Sequence, residues 1–111
     1  MKQNRSDHDE TLQQSSNQLA EAFLSMRTAD ECLSLLDDLC TPAELEAMID
    51  RFRVALLLEQ GIPYREINER TGVSVTTIGR VARFLSRGAG GYRLALDRLT
   101  EKGLVTVNDT D

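Results

Sequence analysis

From Ser74 to Arg87 the chain reads Ser-Val-Thr-Thr-Ile-Gly-Arg-Val-Ala-Arg-Phe-Leu-Ser-Arg. At about 100° per residue on a helix, Thr76, Arg80, Arg83 and Arg87 share one narrow stripe. Ile78, Val81, Ala82 and Leu85 fall on the opposite side. Such a helix buries an aliphatic face and presents a row of guanidiniums headed by hydroxyls. These groups reach phosphates and base edges in the major groove of DNA. An ordinary helix with a solvated basic face has the same periodicity, so the residues before it must decide.

Those residues supply a turn and a second helix. Pro63 to Arg70 reads as a short helix with Pro63 at its first position, where no backbone donor is needed. Gly72 suits a left-handed residue that ends this helix, and Ser74 suits the N-cap of the next. Two helices joined so tightly must cross steeply. Ile67, Val73, Ile78 and Val81 are spaced to meet between them. This is the spacing of a helix-turn-helix, over about residues 63–86, whose second helix enters the major groove. Asn68 stands where such motifs carry a small residue. Either the helices separate slightly there, or the amide finds a partner.

Composition sets bounds on this reading. The chain of 111 residues is enough for one small domain, and its formal charge is −5. A strongly basic total would advertise nucleic acid, and this chain lacks one. The charge is unevenly placed, however. Residues 1–61 carry 5 basic and 12 acidic groups, residues 62–93 carry 6 and 2, and residues 94–111 carry 2 and 4. Every positive group in the middle block is arginine, which favours bidentate recognition of phosphate or guanine. Screening over roughly 8 Å makes this local excess matter more than the total.

The remaining elements also read as helices. Residues 1–14 are polar and mixed in charge and are expected to form a disordered arm; no ligand role is expected of the lone His8. Ser15 or Ser16 caps a first helix bearing Leu19, Ala22, Phe23 and Met26. Thr28 and Glu31 form a capping box for a second, with Cys32, Leu33, Leu35, Leu36, Leu39 and Cys40 on a wide apolar face. Asp37 and Asp38 oppose the helix dipole there, so this helix should end near Leu39. The cysteines, eight residues apart on one helix, sit about 12 Å apart along its axis and cannot pair. Thr41, Pro42 and Glu44 start a long helix that runs to Gln60 and stops at Gly61. Leu45, Met48, Ile49, Phe52, Ala55, Leu56, Leu57 and Leu58 cover more than one face of it, which suits a central helix.

Gly88-Ala89-Gly90-Gly91 makes a tight or flexible connection; it has neither a preceding strand nor the lysine and serine of a nucleotide-binding loop. Tyr92 to Lys102 is a last helix closed by Gly103, and residues 104–111 are expected to be a disordered tail. The expected domain is therefore all-α, with about six helices over residues 15–103. Helices this short rarely bury all their apolar surface within one small subunit, so a symmetric homodimer is expected.

These residues together resemble the trp repressor family. The long helix after Thr41-Pro42, with Arg51 and Arg53, leads into the helix-turn-helix and Thr77-Ile78-Gly79-Arg80. The likeness is stronger to the family's YerC/YecD-type branch, over about residues 15–102. Its specific part is the run from Arg80 to Leu85, then Gly88-Ala89-Gly90-Gly91-Tyr92 and Ala95-Leu96-Asp97-Arg98-Leu99. The resemblance implies an all-helical, intertwined homodimer whose two reading heads meet successive major grooves. In the trp repressor, tryptophan binds beside the reading head. Thr41, Arg51 and Arg80 match ligand-contacting positions, while Val81 and Phe84 stand where the repressor has a glycine and a serine. The expectation is a small-molecule effector other than tryptophan, or none.

The function expected is a cytoplasmic, sequence-specific DNA-binding transcriptional regulator, a repressor by resemblance. Thr76, Thr77 and Arg80 would reach base edges, with Ser74 heading the helix; Arg83, Arg87 and Arg65 would hold phosphate. Gly79, a poor helix former, either lets the backbone approach DNA closely or relieves crowding. The alternative is a helical adaptor that docks protein partners through its arginine stripe. No cofactor and no membrane partner is expected. No nucleophile–base pair or metal constellation suggests an enzyme. Glu44, Glu46 and Asp50 read as helix-start and surface charge.

Overall fold

The computed structural model describes residues 5–105, with side chains from residue 11 onward. Six helices follow in order: α1 Arg5–Leu24, α2 Ala29–Leu39, α3 Pro42–Glu59, α4 Tyr64–Thr71, α5 Val75–Arg87 and α6 Gly91–Glu101. There is no strand among the described residues. The chain divides at the start of α3 into two compact units, Met1–Pro42 and Ala43–Asp111.

In the first unit, α1 begins at Arg5 and not at Ser15 or Ser16, so most of the expected arm is helix. No glycine or proline precedes Pro42 to stop it, and Asp7, Asp9 and Glu10 fall near its N-terminus, where acids favour the helix dipole. Residues 1–4, the side chain of His8 and tail residues 106–111 lie outside what is described. The break before α2 follows expectation. Thr28 Oγ1 accepts from the Glu31 amide at 3.1 Å. The Glu31 carboxylate accepts from the Arg27 amide at 2.8 Å, one residue before the usual capping-box partner. α2 ends at Leu39, and the Cys40 amide bonds to the Leu36 carbonyl at 2.9 Å. Cys32 and Cys40 are not joined in a disulfide. No described side chain of α1 or α2 is buried. Leu33 and Leu39 are each 52% exposed.

The second unit holds the core. Val54 and Ala55 of α3, Ile67 of α4, Val73 of the turn, Ile78 and Val81 of α5, and Leu96 of α6 are buried together. Phe52, Leu56, Leu57, Leu58, Ile62, Leu85 and Tyr92 pack around them. α3 stops as Gly61 predicts: the Gly61 amide bonds to Leu58 O and the Ile62 amide to Leu57 O, which turns Ile62 back onto the helix. Only the second half of α3 is buried in this way. Met48 and Ile49, in its first half, remain exposed.

α4 packs on α5, and α5 packs on α6. Pro63 is the N-cap of α4 and not its first helical residue; its carbonyl accepts from the Ile67 amide at 3.0 Å. Its ψ of 151° is extended, which suits a proline entering a helix. Gly72 closes α4 at φ 74° and ψ 0°, a left-handed conformation that costs a residue with a Cβ and costs glycine nothing. Asn68 meets its odd position by donating from Nδ2 to the Val73 carbonyl at 2.8 Å. Thr71 Oγ1 donates to Ile67 O at 2.7 Å and accepts from the Val73 amide at 3.0 Å. The turn is thus pinned by two side chains as well as by its glycine.

Ile67 is fully buried where α4 meets α5. Ile67→Ala should cost about 2–5 kcal/mol by removing buried methyls and leaving a cavity. Urea unfolding followed by circular dichroism measures this, and a loss below about 1 kcal/mol would show that the contact does not set the crossing.

Candidate nucleic-acid interface

α5 starts on a side-chain cap. Ser74 Oγ accepts from the Thr77 amide at 3.1 Å and donates to Thr77 Oγ1 at 3.1 Å. This fixes the helix start and settles the rotation of every residue after it. Ile78 and Val81 then point inward and are buried, with Ala82 and Leu85 partly covered. Thr76, Arg80, Arg83 and Arg87 are all exposed. The structure brings the four residues of the predicted stripe together on one outward face.

Thr77 differs from its neighbours. It is half-buried, its hydroxyl is engaged with Ser74, and it lines a recess beside the stripe. Arg65 sits apart at the start of α4, exposed, with its Nε 3.9 Å from a Glu69 carboxylate oxygen. Gly79 is partly exposed at the edge of the stripe.

The electrostatics separate the arginines into two kinds. Arg70 pairs with Glu66 along α4. Arg93 donates from Nη2 to Glu59 Oε2 at 2.6 Å and holds its Nε 3.3 Å from Asp97 Oδ1, out of line for a hydrogen bond. The Glu59 hydrogen bond holds the Arg93 guanidinium above its ordinary range, against the opposing effect of burial. Arg70 and Arg93, counted in the basic block of the sequence, are therefore largely neutralised in place. Among the described residues, Arg80, Arg83 and Arg87 have no carboxylate partner.

The recess has a volume of 310 Å³ and is lined by Arg51, Thr77, Arg80, Val81, Phe84 and Tyr92. Four of the predicted effector residues, Arg51, Arg80, Val81 and Phe84, meet there. Thr41 belongs to the other unit. Sequence reasoning missed Tyr92 and assigned Thr77 elsewhere. Tyr92 stacks on Phe52 with ring centroids 6.3 Å apart and planes at 19°, which holds one wall of the recess. Its place at the end of a glycine loop was the available signal. That loop is tightly built: a Cβ on Gly88 would overlap the Phe84 carbonyl oxygen. Phe84 is 51% exposed and borders both the recess and the arginine stripe. No group of three or more metal-ligating side chains forms among the described residues. None of the described helices is long and apolar enough to cross a membrane.

Two short helices crossing at a glycine turn, the second outward-facing and basic, define a helix-turn-helix in an all-helical chain. Residues 14–100 match the family described as Trp repressor protein. The chain is 41% identical to the uncharacterized protein YerC of Bacillus subtilis over 85 residues, covering 77% of this chain and 82% of that protein. It also superposes on a TrpR-like protein from Eubacterium eligens, with TM-score 0.75, 38% identity and coverage of 84% of this chain and 93% of that one. A candidate Trp repressor from Staphylococcus aureus matches with TM-score 0.73 and 36% identity over 78% of this chain and 86% of that one. The chain belongs to the Trp repressor family, a family of helix-turn-helix DNA-binding regulators and not of enzymes.

Removing the cap tests the geometry of the interface. Ser74→Ala should destabilise the fold by about 1 kcal/mol and fray the first turn of α5, where Thr76 and Thr77 lie. Hydrogen exchange at the Thr77 and Ile78 amides should rise. Unchanged protection of both would mean that the cap does not fix α5.

Proposed function

We propose that this protein is a sequence-specific DNA-binding transcriptional regulator that reads the major groove with α5 and acts as a homodimer. One observation carries the reading: the exposed row of Thr76, Arg80, Arg83 and Arg87 on the second helix of a helix-turn-helix, its guanidiniums unpaired among the described residues. In this reading Thr76 and Arg80 reach base edges. Arg83, Arg87 and Arg65 hold phosphate. Thr77 supports the helix start and borders the effector recess.

Unsatisfied apolar surface supports the homodimer. Leu12, Leu19, Leu24, Leu33 and Leu39 of the first unit and Met48, Ile49 and Leu94 of the second are exposed in one copy of the chain. Single exposed leucines are ordinary, but two amphipathic helices with no described side chain buried need a partner. A second copy is the partner that family membership supports, and it would place two α5 helices about one DNA turn apart.

The recess suits a small anionic ligand, because Arg51 and Arg80 both line it without a carboxylate partner among the described residues. Val81 and Phe84 add bulk to its wall, so the effector is one other than tryptophan, or none. Calorimetry with tryptophan should show no binding at micromolar concentrations; a micromolar Kd would overturn this part of the reading.

The leading test is selection from a random duplex library at about 0.15 M salt, where phosphate contacts alone bind weakly. The expected result is a palindromic motif with half-sites about one helical turn apart. Affinity should fall steeply with salt. Arg80→Ala should relax the preference at one position of each half-site, at a cost of about 1–3 kcal/mol. Arg83→Ala should weaken binding to all sequences alike and reduce the salt slope by about 1 per subunit. A chain indifferent to duplex DNA at low salt would instead be an adaptor whose arginine stripe serves a protein.

A further inference from the structure

Gly79 stands in the middle of α5, where glycine is a poor choice for a helix. Three causes could place it there: an unusual backbone angle, a crowded neighbour, or a body outside the chain. The first fails, because Gly79 is not among the glycines with positive φ and sits in regular helix. The second fails as well, because a Cβ built at Gly79 would meet no atom of the described residues within 4 Å. The fold would accept alanine at this position, and alanine is the better helix former.

What remains lies outside. Thr76 and Arg83 are three residues before and four after Gly79, so they are its neighbours on the helix surface. Gly79 therefore opens a notch, floored by bare backbone, between a hydroxyl and an unpaired guanidinium on the exposed edge of the stripe. An α-helix with side chains is about 10–12 Å across, close to the roughly 12 Å width of the major groove. Within that tolerance, a missing side chain sets how deeply the helix can sit.

We propose that Gly79 is a specificity-determining residue: the notch between Thr76 and Arg83 receives the edge of a base pair, so that the α5 backbone lies in contact with the DNA. This inference rests on the reading of α5 as the major-groove helix. A base-pair edge fits the position better than a phosphate does, because the notch adjoins Thr76, toward the start of the helix, and lies away from the terminal Arg87. The role is one of shape. It affects the selected sequence, for which the helix must seat fully, and leaves loose electrostatic binding alone.

The test compares the wild-type chain with Gly79→Ala and Gly79→Leu. Each is measured by thermal melting, by affinity for the selected duplex and by affinity for a random duplex at low salt. Gly79→Ala should melt about 4 °C or more above wild type. It should bind the selected duplex at least tenfold more weakly and the random duplex with unchanged affinity. Gly79→Leu should lose the selected duplex further while remaining folded. An alanine variant that melts lower than wild type, or binds the selected duplex as tightly, overturns the inference while leaving the regulator reading intact. A wild-type chain that selects no motif overturns both, and that result is visible before either variant is compared.

Discussion

The contact between α4 and α5 across the Gly72 turn is the constraint on which the rest of the second unit depends. Ile67, Val73, Ile78 and Val81 come from both sides of the turn into one buried cluster. Because Ile78 and Val81 must face inward, Thr76, Arg80, Arg83 and Arg87 must face outward: periodicity permits no other outcome once the aliphatic face is committed. The turn itself leaves little freedom. A left-handed glycine, the Asn68 amide and the Thr71 hydroxyl fix the path of only a few residues. The basic face is thus a consequence of the core.

Charge placement explains how an acidic chain can carry such a face. The net charge of −5 acts weakly at a distance, because screening in physiological salt cuts exposed interactions off over roughly 8 Å. Within that range the pairing of each arginine matters. Arg70 and Arg93 are paired with carboxylates on or near their own helices, whereas those of α5 have none among the described residues. Arg93 does structural work instead, joining the start of α6 to Glu59 at the end of α3. The sequence-level basic block thus overstates the positive surface and blurs its location. Among the described residues, the part of that block with no carboxylate near it is confined to α5.

Much of this was legible in the sequence, for identifiable reasons. The helix-turn-helix and its stripe were readable because helical period, a left-handed glycine and a serine cap all agree over a short span. The end of α2 near Leu39 was readable from misplaced acids, and that of α3 from Gly61. The start of α1 was not. Ser15 and Ser16 are sound cap residues, but a cap ends nothing when the residues before it also suit a helix, and α1 runs back to Arg5. Thr77 is bonded to Ser74 and lines the recess, a placement set by the cap and not by helical period. Val54 and Tyr92 were missed for a different reason. Their roles are set by long-range packing, and on a helix as apolar as α3 no local pattern says which residues are innermost.

α5 could not be stable as an isolated helix. It has glycine at its centre and β-branched residues at Val75, Thr76, Thr77, Ile78 and Val81. Arg80, Arg83 and Arg87 succeed one another at three- and four-residue spacings, where like charges repel by a few tenths of a kcal/mol per pair. Each feature costs helix stability, and together they would defeat a peptide of 13 residues. The offset comes from outside the helix. Burying Ile78 and Val81 contributes about 1.5–3 kcal/mol each, and the Ser74 cap about 1 more. α5 is therefore a helix because α3, α4 and α6 make it one, while Thr76, Arg80, Arg83 and Arg87 on its outward face stay exposed. On such a face, glycine where alanine would fit and arginines where carboxylates would relieve them are costs that the chain's own stability does not explain. In the proposed reading, a polyanion brought close to the helix surface would neutralise the arginines and occupy the space the glycine leaves.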